Sequence, residues 1–210
     1  MIKKNLWIYK ISQWIGLVFC KIYFRLSGKG LENIPKSGPV LLVSNHASYI
    51  DPFLDGGMIS RPIHFMARSD LWNVKFLAWW IPKVHGIPIR RAGFDRKALQ
   101  VTLDYLKNGE IILVYPEGTR SIDGKLKPGM AGVGLIAYQA KVPVIPIYIS
   151  GSFAAFPRKN KFPKPKKIKV YFGSPLDLQT EFNMPEDKET YQVIASKMMD
   201  AIRTLSPTGD

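Results

Sequence analysis

The chain has 210 residues, 46% of them hydrophobic, which argues against disorder and for one domain with a real core. Its 30 lysines and arginines outweigh 16 acids, giving a formal charge of +14 and an expected anionic partner: nucleic acid, anionic lipid or a phosphorylated substrate. The single cysteine, Cys20, excludes an intrachain disulfide, suits a reducing compartment, and lies in an apolar stretch where a free thiol behaves as a small hydrophobe.

Residues 1–27 read as a helix stopped by Ser27-Gly28-Lys29-Gly30. Lys3 and Lys4 precede an apolar segment, Ile11 to Leu26, but Gln13, Lys21 and Arg25 interrupt it. No small-residue cleavage site follows, so it reads poorly as a signal peptide. It also falls short of the roughly 20 apolar residues that a spanning helix needs. Trp7, Tyr9, Trp14, Phe19, Tyr23 and Phe24 alternate with Lys10, Lys21 and Arg25, and no acid precedes Glu32. That mixture fits an amphipathic helix lying at a membrane surface; packing on the protein's own core is the other reading. We therefore divide the chain into a membrane-associating helix, 1–30, and a main domain, 31–210.

Asn33 to Gly38 is a turn region, and Pro39 to Ser44 is a continuous apolar run that fits a buried strand. Asp51-Pro52 opens a helix, with Asp51 as a suitable cap. Ile63 to Ala67 is a second strand, Ser69 to Pro82 an aromatic helix, and Ile87-Pro88-Ile89 a short extended segment. Arg96 to Asn108 is a helix with Leu99, Leu103 and Leu106 on one face, and Ile111 to Tyr115 is a strong buried strand. A small-residue helix from Gly129 to Lys141 precedes strands at Val142–Ile149 and Lys167–Phe172. In the closing helix, Tyr191 to Leu205, we expect Val193, Ile194, Met198 and Ile202 to face inward. Strands alternating with helices specify one α/β domain with a largely buried mixed sheet flanked by helices.

His46 and Asp51 sit five residues apart between a strand and a helix start, at a strand's C-terminal end where sites form in such folds. On a continuous helix they would not meet. On a strand-to-helix turn the carboxylate can reach the imidazole, fix its tautomer, and stabilise the imidazolium formed when it takes a hydroxyl proton. Asp51 alone also reads as a plain helix cap, and Ser48 invites a Ser-His-Asp reading although it is poorly placed for one.

Asn45-His46-Ala47-Ser48-Tyr49-Ile50-Asp51 resembles the NHxxxxD block of the 1-acylglycerol-3-phosphate acyltransferases and related glycerolipid acyltransferases. Three further blocks follow in the expected order. His85-Gly86-Ile87-Pro88-Ile89-Arg90-Arg91 is similar to the second motif, whose closing arginine falls on Arg91. Tyr115-Pro116-Glu117-Gly118-Thr119-Arg120-Ser121 looks like the FPEGTRS motif with Tyr115 in place of phenylalanine. Val142-Pro143-Val144-Ile145-Pro146-Ile147-Tyr148 resembles the VPVIPV segment, and its two prolines suggest an edge strand or a rigid wall. Lys127-Pro128-Gly129 and Arg68-Ser69-Asp70-Leu71 are weaker matches.

The resemblance runs from about Pro39 to about Leu178. It implies the glycerol-3-phosphate acyltransferase-like fold for 31–210, His46 as base and Asp51 as its orienting partner. Arg91, Glu117, Gly118, Thr119 and Arg120, with Arg68 and Lys127, would hold the glycerol-phosphate end of the acceptor. The guanidinium fork matches phosphate, and a glycine lets the backbone approach a ligand. The implied acceptor is lysophosphatidate, and the implied donor is an acyl thioester of coenzyme A or acyl-carrier protein. Another lysophospholipid, glycerol 3-phosphate, or water in a thioesterase remain alternatives. No cofactor or metal is implied, because His64 and His85 lack ligand-like spacing; His64 reads as lying on a strand's polar side.

The basic run Arg158 to Lys167 could grip nucleic-acid phosphates or anionic headgroups. The greasy segment Trp72 to Ile81 and the lack of a nucleic-acid module favour lipid. The expected location is peripheral or monotopic, on the cytoplasmic face of a membrane.

Overall fold

A computed structural model describes residues 6–90 and 95–207. One seven-stranded sheet runs β1 (Ser27–Lys29), β7 (Lys169–Phe172), β6 (Val144–Ser150), β2 (Val40–Ser44), β5 (Ile111–Val114), β3 (Ile63–Arg68) and β4 (Gly86–Ile89) from edge to edge. All neighbours pair in parallel except β6 with β7, so the sheet is mixed. Every residue of β2 and β5 is buried, as their unbroken apolar sequence requires for strands covered on both faces.

Alternation along these strands feeds two cores. Val40, Leu42, Ile111, Leu113, Ile145 and Ile147 point to one face, covered by α1 (Leu6–Tyr23) and α2 (Asp51–Gly57). Leu41, Val43, Ile112, Val114 and Val144 point to the other, covered by α4 (Arg96–Lys107), α5 (Ala131–Ala140) and α8 (Lys188–Thr204). Three short helices, α3 (Lys75–Trp80), α6 (Ser152–Ala155) and α7 (Gln179–Phe182), complete the chain. At Gly134 the α5 backbone packs so closely on α8 that a Cβ would stand 1.9 Å from the Tyr191 carbonyl oxygen.

Several expectations need correction. The first helix ends at Tyr23, and Ser27–Lys29, read as its stop signal, is an edge strand paired with β7. Phe24 and Leu26 are core residues that anchor this crossing into the sheet. The segment after Arg68 is not one helix: short 3-10 turns at Ser69–Asn73 and Ile81–Val84 flank α3. Val193 is exposed, while Ile194, Met198 and Ile202 are buried. His64 is buried: it stacks with the rings of Tyr105 and His85, and its Nε2 lies 3.8 Å from a Glu110 carboxylate oxygen.

The proline-marked strand is not an edge: β6 is paired on both sides. Pro143 precedes it and accepts from Leu41 N–H, while the Pro146 carbonyl accepts from Gly173 N–H, just beyond the last β6–β7 pair at Ile147–Phe172. Pro146 thus sits just past the end of the β6–β7 ladder, where its missing N–H interrupts no pair of that ladder.

Candidate active site

Strands β2 and β5 are parallel neighbours, so the turns that follow them emerge together at one end of the sheet. Beyond Ser44, the Asn45 side chain acts as one more ladder residue. Its Oδ1 accepts from Ile149 N–H at 2.7 Å and its Nδ2 donates to the Ile149 carbonyl at 3.1 Å. The backbone can then leave the sheet at His46 without abandoning the β6 edge.

Asp51 closes this turn. One oxygen, Oδ2, accepts from His46 Nδ1 at 2.8 Å, Ala47 N–H at 2.8 Å and Ser48 N–H at 2.7 Å. The helix cap is Ile50 and makes no side-chain bond; Asp51 is the first helical residue, and its carboxylate looks backward. The plain-cap reading of Asp51 is therefore wrong. Ser48 is buried and donates its hydroxyl to the Phe156 carbonyl at 2.8 Å, so it forms no triad with His46. With Nδ1 committed to Asp51, Nε2 is the nitrogen left to exchange a proton.

The turn after β5 supplies the second wall. The Tyr115 ring stacks on His46, centroids 4.0 Å apart and planes 15° apart. Glu117 Oε1 accepts from His46 N–H at 2.9 Å and Oε2 from Lys127 N–H at 3.2 Å, and Ser121 N–H donates to the His46 carbonyl at 2.7 Å. Glu117 thus ties three segments together. Burial pushes its carboxyl up to about 7, against the lowering effect of those two N–H bonds. Gly118 has φ +67°, and a Cβ there would meet Met130 Sδ at 2.2 Å, so the tight approach requires glycine.

Arg120 lies over the Tyr49 ring, its Cζ 3.3 Å from the centroid, and its Nη1 is buried without a hydrogen-bond partner among the described residues. A buried guanidinium nitrogen left unsatisfied beside a histidine turn is an anion-binding feature. Lys127 Nζ donates to the Arg120 carbonyl at 3.3 Å. Thr119 is exposed beside Arg120.

Next to this polar cluster is an apolar cavity of about 260 Å³. Tyr49, Pro52 and Phe53 form its wall nearest the His46 turn; Tyr9, Gly16, Phe65, Leu77, Trp80 and Val84 line the rest. It is bounded by α1, which is pinned to α2 by Gln13 Nε2 donating to the Gly56 and Ile59 carbonyls at 2.8 Å.

The sequence model of the family described as Acyltransferase matches residues 25–150, which include both turns of the site. The chain belongs to the acyltransferase family. It is 29% identical over 176 residues to the 1-acyl-sn-glycerol-3-phosphate acyltransferase of Bacillus subtilis, covering 83% of this chain and 84% of that one. A chloroplastic 1-acyl-sn-glycerol-3-phosphate acyltransferase of Brassica napus is also 29% identical, over 64% of this chain and 40% of its own length. The crystal structure of the 1-acyl-sn-glycerophosphate acyltransferase PlsC from Thermotoga maritima superposes with a TM-score of 0.72 at 27% identity, covering 95% of this chain and 83% of that chain.

In this acyltransferase the structure brings together His46, Asp51, Glu117, Gly118, Arg120 and Lys127 from the expected set. Arg91 lies outside the described residues. Arg68, at the end of β3, has its guanidinium bound to Asp70, and Tyr49 of the His46 turn is close enough to act on it electrostatically. Among the described residues no group of three or more His, Cys, Asp or Glu could hold a metal. Sequence reasoning assigned no role to Asn45, Tyr49 or Asp55. Asn45 and Tyr49 were visible only as members of the first block, and Asp55 looked like an ordinary helix residue until α2 turned it inward.

Proposed function

We infer that this acyltransferase transfers an acyl group from a thioester to the free hydroxyl of 1-acyl-sn-glycerol 3-phosphate, forming phosphatidate. The observation that carries the reading is His46 held by Asp51 at 2.8 Å, beside the unpartnered buried nitrogen of Arg120. The acceptor phosphate binds Arg120, with Arg91 and Lys127 as further contacts. The acceptor hydroxyl gives its proton to His46 Nε2 as its oxygen bonds to the thioester carbonyl carbon. Asp51 stabilises the imidazolium. Collapse of the tetrahedral intermediate breaks the C–S bond, and the departing sulfur takes the proton back from His46. The attacking hydroxyl belongs to the lipid, so no enzyme nucleophile and no cofactor beyond the acyl donor is needed.

An acyl chain is suited to the apolar cavity, whose wall begins at Tyr49 and Phe53. The bilayer is the second partner in this reading. Trp7, Trp14 and Ile22 on α1, and Phe76 and Trp79 on α3, are all more than half exposed, which an aqueous surface does not favour. No helix among the described residues is long and apolar enough to cross a membrane, so these side chains would enter the interface from one side. The basic segment from Arg158 to Lys167, with Phe162 exposed, is tied to the end of α1 by Tyr23 OH donating to the Pro163 carbonyl, where it can meet anionic headgroups. The cytoplasmic face is part of the same proposal.

The test offers purified protein an acyl thioester with and without lysophosphatidate, in anionic vesicles. Phosphatidate formation that requires the acceptor supports the reading. Release of free fatty acid regardless of acceptor would make it a thioesterase instead.

A further inference from the structure

Asp55 lies on α2, one turn beyond Asp51, and is fully buried. Its Oδ1 accepts from Ser44 Oγ at 3.3 Å and its Oδ2 from Tyr115 OH at 3.2 Å. The groups that face it are the hydroxyls of Ser44 on β2 and Tyr115 beyond β5, with the like charge of Asp51 on its own helix. No cation acts on it, so an ionised carboxylate here would have only those two hydroxyls to offset its burial. Burial first, and Asp51 second, hold its carboxyl well above the usual range.

We propose that Asp55 and Tyr115 form a positioning pair for His46, in which the Asp55 carboxyl holds the Tyr115 hydroxyl so that the phenol ring lies flat against the imidazole. Asp51 secures one edge of the imidazole, and Tyr115 secures one face at 4.0 Å. A single hydrogen bond leaves the ring free to swing about that bond; the flat contact removes the swing and aims Nε2 at the acceptor hydroxyl. The motif's phenylalanine would stack but would carry nothing to hold it. Here the extra hydroxyl has a dedicated partner four residues past Asp51. Both residues act through His46, and neither touches the reacting atoms in the scheme above.

The test compares Tyr115→Leu, Tyr115→Phe, Asp55→Leu and Asp55→Asn at matched folded fraction. Tyr115→Leu is expected to lower kcat by about ten- to a hundredfold with KM unchanged for both substrates, the signature of misaimed chemistry rather than lost binding. Tyr115→Phe falls less, because the ring stays. Asp55→Leu also lowers kcat, and Asp55→Asn recovers it to within about threefold, since an amide offers the donor and acceptor of a neutral acid. A second readout is independent of activity. The chain has 3 histidines, so the His46 ring signals can be assigned in labelled protein by difference against His46→Ala. They should move in Tyr115→Leu and Asp55→Leu and stay in Asp55→Asn. Unchanged kcat or unmoved His46 signals in Tyr115→Leu overturn the pair. Asp55→Asn losing as much as Asp55→Leu would do the same, by making the charge rather than the hydrogen bond the active feature. The kinetic arm rests on the acyl-transfer reading; if the native protein transfers nothing, that reading fails while the histidine signals still decide the pair.

Discussion

The two walls of the site are built on opposite principles. Around His46 nearly every polar atom has an assigned partner: Asp51 accepts three bonds, Glu117 two, and Asn45 closes both halves of a ladder position. By contrast, the surface formed by α1 and α3 leaves tryptophans and a phenylalanine in the open. Among the described residues, the atoms this polar wall leaves buried without a hydrogen-bond partner are Asp51 Oδ1 and Arg120 Nη1. The apolar wall leaves large side chains uncovered, which the proposed lipid partner would cover. Chemistry demands geometry set to tenths of an ångström, which hydrogen bonds deliver; holding a chain and meeting a bilayer demand area, which does not depend on fixed positions.

Mutations should separate the two walls. The largest effect is expected for His46→Ala, with kcat for acyl transfer down by about a thousandfold or more and far-ultraviolet circular dichroism unchanged. Asp51→Asn keeps the shape but offers an amide N–H to three donors. We expect a loss of about a hundredfold in kcat and a measurable fall in the midpoint of urea unfolding. Arg120→Ala should act on binding, raising KM for lysophosphatidate about tenfold or more with a smaller change in kcat. If kcat fell instead, Arg120 would belong to the chemistry and the division between the walls would shift.

On the apolar side, Trp7→Ala with Trp14→Ala should weaken binding to anionic vesicles by about tenfold for each residue, seen by vesicle flotation, while leaving kcat on a detergent-dispersed acceptor within about twofold. Loss of activity in detergent would show that α1 shapes the site as well as docking it.

The mildest test is pH. Glu117 must be ionised to accept both N–H bonds, and its carboxyl titrates at about 7, raised from 4.5 by burial. Transfer should therefore rise as pH passes upward through about 7. Stability should move the other way. A carboxyl raised on folding binds its proton more tightly in the folded state, so its contribution is fully present below 4.5 and is lost as pH rises toward 7. Unfolding midpoints of the native protein and Glu117→Gln across that window check the sign.

Most of this architecture is legible from local pattern. The runs at Val40–Ser44 and Ile111–Val114 could only be buried strands, and the spacing from Arg96 could only be an amphipathic helix. The family, the His46–Asp51 partnership and the Glu117–Arg120 turn follow from residue type and order along the chain, because a turn between a strand and a helix carries its geometry locally. Tertiary placement settled the rest. Whether Ser27–Lys29 ends a helix or edges a sheet depends on β7, 142 residues away at Ser27↔Lys169. Whether Pro146 marks an edge depends on where β7 stops. That Glu117 accepts from His46 N–H, across 71 residues, was visible only in the folded chain. Asp55 gains its hydrogen-bond partner only because β5 carries Tyr115 to it from 60 residues on. Hydrophobic period and turn chemistry are properties of neighbours in sequence, and they can be read there; a hydrogen-bond partner on another strand is not, because the sheet order that delivers it is chosen by the packing of the whole chain.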